Sequence, residues 1–337
     1  MKWNRLLVVA IVLFAGLVMF AGCVDKGTQG DLSEEEIAEM VAAYPAKDIH
    51  FICPPKQGGL SDFITRTLGF FTEDELGAKI IVENRPGAAG ATGMRFGAAA
   101  DPDGTTVTYV TVESTILKHR KDIQETVSYK DFDLIARLNY GPASLAVNVN
   151  SPIKTFDEFV KYAKENEGKV NVGNSGQYSI WHLASAVMAD SLGITIGFVP
   201  YDGAAPSVQD LLGGHLDAVV ASPSEVFTFV KAGQLRLLTI FGEERDPEFA
   251  DVPTARELGY DIVVGAWGGI GVPVGTPDGI KQKIYDSFKA GFDKPGFREK
   301  CKERSVSLGW QDMETFKAFA AKQDEIFGKV LGTLSME

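Results

Sequence analysis

Two segments of this chain carry the residue types that hold anions. Pro54-Pro55-Lys56-Gln57-Gly58-Gly59-Leu60-Ser61-Asp62 follows a short apolar run and opens a helical pattern. Gly173-Asn174-Ser175-Gly176-Gln177-Tyr178-Ser179 does the same further along. Glycines let backbone N–H groups come close to a ligand, and a helix N-terminus adds roughly half a positive charge. Plain strand-to-helix turns share this composition, so either segment is an anion clamp or simply a connection. The second is one residue away from the Gly-x-Ser-x-Gly nucleophile elbow, with Gln177 in the place of the last glycine. Acyl transfer from Ser175 would need a positioned histidine and acid. His50, His119, His182 and His215 have no diagnostic spacing, and His182, just inside a helix, reads as packing or surface.

Other candidates carry less. Gly87-Ala88-Ala89-Gly90-Ala91-Thr92-Gly93 is not the Gly-x-Gly-x-x-Gly of dinucleotide folds and reads as close helix–strand packing. The chain has no Gly-Lys-Ser or Gly-Lys-Thr, hence no P-loop. Glu243, Glu244 and Asp246 match no calcium-loop spacing, and Glu34–Glu36 reads as a solvated face. No metal and no cofactor is expected. Cys53 and Cys301 lack a Cys-x-x-Cys spacing, and two separate buried thiols are expected, although spacing does not exclude a disulfide.

The elements that must position these segments alternate between β-like and α-like. Strands are predicted at Ile49–Cys53, Lys79–Val82, Thr105–Thr111, Leu145–Val149, Val170–Val172, Gly197–Pro200, Ala218–Ala221 and Leu235–Ile240. A glycine-interrupted β segment follows at Ile262–Val272. Helices are predicted from Ser61, over about 90–100, after Thr155 (with Glu158 completing a capping box), and near 179–191, 205–212, 278–292 and 313–331. Such alternation predicts parallel or mixed sheets covered by helices.

The start of the chain points outside the cytoplasm. Lys2 and Arg5 precede an apolar run, Leu6 to Ala21, whose 16 residues fall short of the roughly 20 needed to span a bilayer. The run meets Phe20-Ala21-Gly22-Cys23, which resembles a lipobox, so 1–23 is read as a lipoprotein signal ending at an acylated Cys23 and 24–43 as a tether. An uncleaved membrane anchor is the alternative. A formal charge of −12 argues against a nucleic-acid partner, since phosphate binding needs a basic face. It does not argue against a small anion. Desolvated amide dipoles and hydroxyls set the local field, and net charge is screened beyond about 10 Å.

Taken in order, the motifs resemble the substrate-binding proteins of tripartite tricarboxylate transporters, the Bug-type family. They are Tyr44-Pro45-x-Lys47, Gly58-Gly59-x-Ser61-Asp62, Val82-Glu83-Asn84-Arg85-Pro86-Gly87-Ala88 and Asp101-Pro102-Asp103-Gly104. Gly173-x-Ser175-Gly176, Val199-Pro200-Tyr201-Asp202-Gly203-Ala204-Ala205-Pro206, Asp210-Leu211-Leu212-Gly213-Gly214, Asp251-Val252-Pro253-Thr254 and Gly275-Thr276-Pro277 follow. The resemblance implies an α/β, type II periplasmic-binding-protein fold: two α/β domains joined by a two-strand hinge, here 44–146 plus 263–337 and 147–262. It implies a monomeric receptor, not an enzyme, that captures a small carboxylate by domain closure for an integral-membrane permease. Ligand contacts are implied for Pro55, Lys56, Gln57, Gly58, Gly59 and Ser61 on one side. On the other they are implied for Asn174, Ser175, Gly176 and Ser179. Tyr201, Asp202, Gly203 and Ala204, with Glu113, Ser114, Ser222 and Ser224, are implied as further cleft lining.

Two departures bear on specificity. Lys56 stands in a stretch usually Pro-Phe-Pro-Ala-Gly-Gly in relatives, and could pair with a carboxylate. Glu113 replaces a residue that is typically small, and would repel a second carboxylate or attract an amine or hydroxyl. A sensory receptor of the same fold and a hydrolase using Ser175 are the rival readings.

Overall fold

The computed structural model describes residues 33–55, 57–120, 126–201, 204–304 and 306–334. Lys56, Asp202, Gly203 and the leader with Cys23 lie outside them. Two mixed sheets organise the chain. The first has the order β11 (Leu308–Gln311), β4 (Phe132–Pro142), β10 (Gly265–Pro273), β3 (Thr106–Thr111), β1 (Ile49–Cys53), β2 (Ile80–Asn84). Here β1, β2 and β3 run parallel, while β10 is antiparallel to both β3 and β4. The second sheet has the order β7 (Gly197–Pro200), β6 (Asn171–Asn174), β8 (Ala218–Ala221), β5 (Ser144–Asn148), β9 (Leu235–Ile240). In it β6 is parallel to β7 and β8, and β5 is antiparallel to β8 and β9.

Helices cover these sheets as their sequences dictate. Helix α2 (Leu60–Leu76) buries Ile64, Leu68 and Leu76, and stops where Gly77 turns left-handed at φ 78°. Thr155 and Glu158 form the expected capping box of α4 (Phe156–Glu165), which buries Phe156, Phe159, Val160 and Ala163. Helix α5 (Ile180–Leu192) ends at Gly193, also left-handed. The remaining helices are α3 (Ala91–Ala98), α6 (Ala204–Leu212), α7 (Pro223–Lys231), α8 (Asp278–Asp293), α9 (Pro295–Glu303) and α10 (Met313–Thr333). The expected tether contains one more, α1 (Glu34–Ala43), capped by Ser33, with Met40 and Val41 packed against the first core. Cys53 and Cys301 are buried, unbridged thiols.

The sheets are joined where the chain crosses between them. Ala143 links β4 to β5, and Phe241 and Val264 bracket the return from β9 to β10. The Ala143 amide donates to Val264 O at 2.9 Å, the Phe241 amide to Ala143 O at 2.8 Å, and the Val264 amide to Phe241 O at 3.0 Å. The expected division after residue 146 therefore falls inside β5, whose residues 144–146 pair in the second sheet. Helix α10 packs against β4 and also against α5 of the other lobe. Its Gln323 side chain donates to Val263 O at 3.1 Å.

Candidate functional site

In both lobes the connections at the carboxyl ends of parallel strands gather on one side, where open α/β sheets bind ligands. In the first lobe β1 delivers the chain to Pro54 and α2. The N-cap of α2 is Gly59, which has no capping side chain, so the first-turn amides at Leu60 and Ser61 are open to a ligand. The turn before them is held by Asp62. Its carboxylate accepts from the Gly58 amide at 3.0 Å, Arg66 Nε at 2.9 Å and Asn84 Nδ2 at 2.9 Å, and Asn84 also donates to Pro55 O at 3.1 Å. Burial pushes the Asp62 carboxyl up, but the Gly58 amide, Asn84 and Arg66 together outweigh it and hold it below the usual carboxylate range. Two of the motifs, Ser61-Asp62 and Glu83-Asn84, thus serve to shape the 54–60 turn.

Pro55 and Ser61 border a cavity of about 510 Å³, together with the loop 86–90, Tyr109, Glu113 and Trp267. Trp267 on its wall is 3% exposed, and its Nε1 has no hydrogen-bond partner among the described residues. In the second lobe β6 leads into the turn 174–179 and α5. Asn174 is fully buried. Its Oδ1 accepts from the Gly176 amide at 3.1 Å, leaving Nδ2 without a partner among the described residues. Ser175 Oγ donates to Ser179 Oγ at 3.0 Å, and Ser179 also caps α5 by accepting from the His182 amide at 3.2 Å. Ser175, Gly176 and Ser179 border a smaller cavity of about 200 Å³, with Tyr178 and Arg120. The two cavities adjoin, since Ala89 and Glu113 line both.

Not every expected residue is in this crevice. Gln57, Gly58 and Gly59 form the exposed turn beside it. Ser114 is fully buried and donates to Thr111 O at 2.7 Å. Tyr201 turns its hydroxyl to Asp210 at 2.6 Å, and Ala204 is buried at the start of α6; neither is among the described residues that border the two cavities. Ser222 caps α7 with Glu225, and Ser224 lines a separate cavity of about 560 Å³ beside Phe249 and Arg298. A base for Ser175 is lacking among the described residues: the one imidazole near its turn, that of His182, accepts the Tyr178 amide on Nδ1 at 2.8 Å.

Sequence reasoning missed five contributing residues. Arg120 lies with its guanidinium 5.0 Å from the Tyr178 ring centre. Trp267 was submerged in a glycine-rich strand. Ala88 and Ala89 were assigned to packing, yet both adopt positive φ, 45° and 54°, between Gly87 and Gly90. Tyr178, at φ 60°, lines the smaller cavity together with Ala89. Left-handed non-glycine residues are costly, and their concentration in one crevice is a mark of function. Of the expected packing glycines, Gly93 does pack closely, since a Cβ there would stand 2.6 Å from Arg85 O.

Two α/β lobes with strand-to-helix turns facing one crevice define a solute-binding protein of the periplasmic type. The chain belongs to the tripartite tricarboxylate transporter family receptor group, whose model matches residues 64–335. It is 34% identical over 279 residues to the UPF0065 protein in gbd 5'region of Cupriavidus necator, covering 83% of this chain and 85% of that one. A TctC solute binding protein from Polaromonas superposes with a TM-score of 0.82 at 32% identity, covering 86% of this chain and all, 100%, of the other. MatC from Rhodopseudomonas palustris with bound malate shares the fold at a TM-score of 0.64 and 24% identity, covering 86% and 100%.

Proposed function

We propose that this protein is the extracytoplasmic receptor of a tripartite tricarboxylate-type transporter, capturing a small carboxylate-bearing solute by closure of its two lobes and presenting it to a membrane permease. The observation that carries this reading is the adjoining, at Glu113 and Ala89, of a cavity in the first lobe with a smaller one that residues of both lobes line. Ser61 and the open first turn of α2 offer donors on one side, Ser175 and Ser179 on the other. The malate held by the Rhodopseudomonas palustris protein, on the same fold, is a solute of this class. Contacts that form only when both lobes meet supply the free energy for closing, because a ligand of equal affinity for both states shifts nothing. We take the lobes to divide at the crossing through Ala143, Phe241 and Val264, near the expected boundaries. An acylated Cys23 completes the proposal, and the mass of the mature N-terminus tests it: a residue-23 start bearing acyl chains is expected, and an unmodified thiol refutes the anchor.

Calorimetric titration and thermal shift across a panel of carboxylates test the receptor reading. At least one member is expected to raise the Tm. Ser61→Ala and Ser175→Ala are each expected to weaken it by about 10- to 100-fold, as for a lost hydrogen bond to a charged group. Unchanged affinity in both variants would remove the crevice from the site.

A further inference from the structure

Resting on the receptor reading, we infer that Glu113 is the specificity-determining residue of the crevice and selects solutes that carry an ammonium group as well as a carboxylate. Glu113 sits on the single turn Val112–Thr115 that follows β3, and among the described residues only it and Ala89 line both cavities. The turn holds it rigidly: Ser114 and Thr115 donate to Thr111 O and Val112 O, each at 2.7 Å. No ion pair reaches its carboxyl among the described residues, and burial pushes it above the usual carboxylate range against the weaker opposing effect of the Thr111 hydroxyl and its own amide. A desolvated carboxyl without a cation is costly, and a cationic ligand group removes that cost.

The other groups on the walls have the opposite character. The hydroxyls of Ser61, Ser175 and Ser179, the Trp267 Nε1, which has no partner among the described residues, and the Arg120 guanidinium all donate. They suit a carboxylate. Among the described residues Glu113 is the one acidic side chain on these walls, placed where the two cavities join. A solute spanning the junction therefore meets donors at its carboxylate and an acceptor beyond. Tyr109, Tyr178 and Trp267 add aromatic faces to the same walls, and such faces attract ammonium groups. A diacid would set a second negative charge against Glu113.

The experiment is a titration of wild type and Glu113→Gln with matched pairs differing only in the amine: succinate and aspartate, glutarate and glutamate, adipate and 2-aminoadipate. In wild type the amine-bearing member of the tightest-binding pair is expected to win by roughly 30-fold or more. That ratio is expected to collapse in Glu113→Gln, with the diacid bound as well as before or better. A wild type that prefers the diacid overturns the inference while leaving the receptor reading intact. So does a ratio unchanged by the substitution. If no member of either series binds wild type, the receptor reading fails with it. The wild-type ratio decides the matter even if Glu113→Gln does not fold.

Discussion

Replacing Gly265 with alanine is expected to destabilise the protein by about 3 kcal/mol or more, with a fall in Tm on the order of 6 °C or more. A Cβ at 265 would stand 2.3 Å from Gly141 O and 2.7 Å from Pro142 Cα. Both are backbone atoms of the neighbouring strand, so no rotamer change relieves the clash. Gly265 pairs with Pro142, beside the Ala143–Val264 hydrogen bond where the lobes join. The strands must separate there, and the relative placement of the two donor-rich turns changes with them. Gly141→Ala is the control, because its Cβ would meet nothing nearer than Ala266 O at 3.8 Å, and a change within about 1 kcal/mol is expected. Denaturant unfolding of both variants checks the contrast. Equal stability would show that the crossing yields without cost.

The second large effect concerns acid. His182 is 6% exposed, and burial lowers its imidazole from 6.5 to about 4. The neutral ring is the folded form, accepting the Tyr178 amide and packing edge-on against Phe198 at 4.9 Å. Between the two values the unfolded chain binds a proton that the folded chain refuses. The stability is therefore complete above about pH 6.5, is lost as pH falls, and stops falling below about pH 4. The displacement corresponds to about 3 kcal/mol over that window. In His182→Gln the amide oxygen can still accept from Tyr178, and this part of the pH dependence is expected to vanish. Carboxylates such as Asp62 lose their own contribution at lower pH, so the comparison is wild type against variant at each pH. Parallel curves for the two proteins would discard this account. Protonation also strips the Tyr178 amide of its acceptor, so solute affinity should weaken over the same window.

Much of this fold was legible because local chemistry and tertiary placement agree. The strands Ile49–Cys53, Gly197–Pro200, Ala218–Ala221 and Leu235–Ile240 occur residue for residue where apolar β-rich runs predict them. The long strand Phe132–Pro142 was not recognised. It is buried along nearly its whole length, including Arg137 and Asn139, so it shows no alternation of apolar and polar residues. Helices Pro223–Lys231 and Pro295–Glu303 were also missed, since each begins with proline inside a stretch that reads as a loop. In the crevice, the two glycine-rich turns announced themselves through composition. The left-handed Ala88 and Ala89 could not, because alanine has no propensity for that conformation and only the surrounding structure enforces it. Arg120 and Trp267 reach the crevice through pairings distant in sequence, which no local pattern records.

The position of β10 between β3 and β4 has a consequence for how the molecule comes together. The second sheet is drawn from one uninterrupted stretch, 144–240, and is complete once that stretch exists. The first cannot close until residues 265–273 enter between strands made long before. During synthesis the earlier strands β1 to β4 must wait with an open gap at their centre while the other lobe assembles. A chain stopped at residue 250 therefore holds every strand of one sheet and only part of the other, whose unpaired inner edges stay exposed.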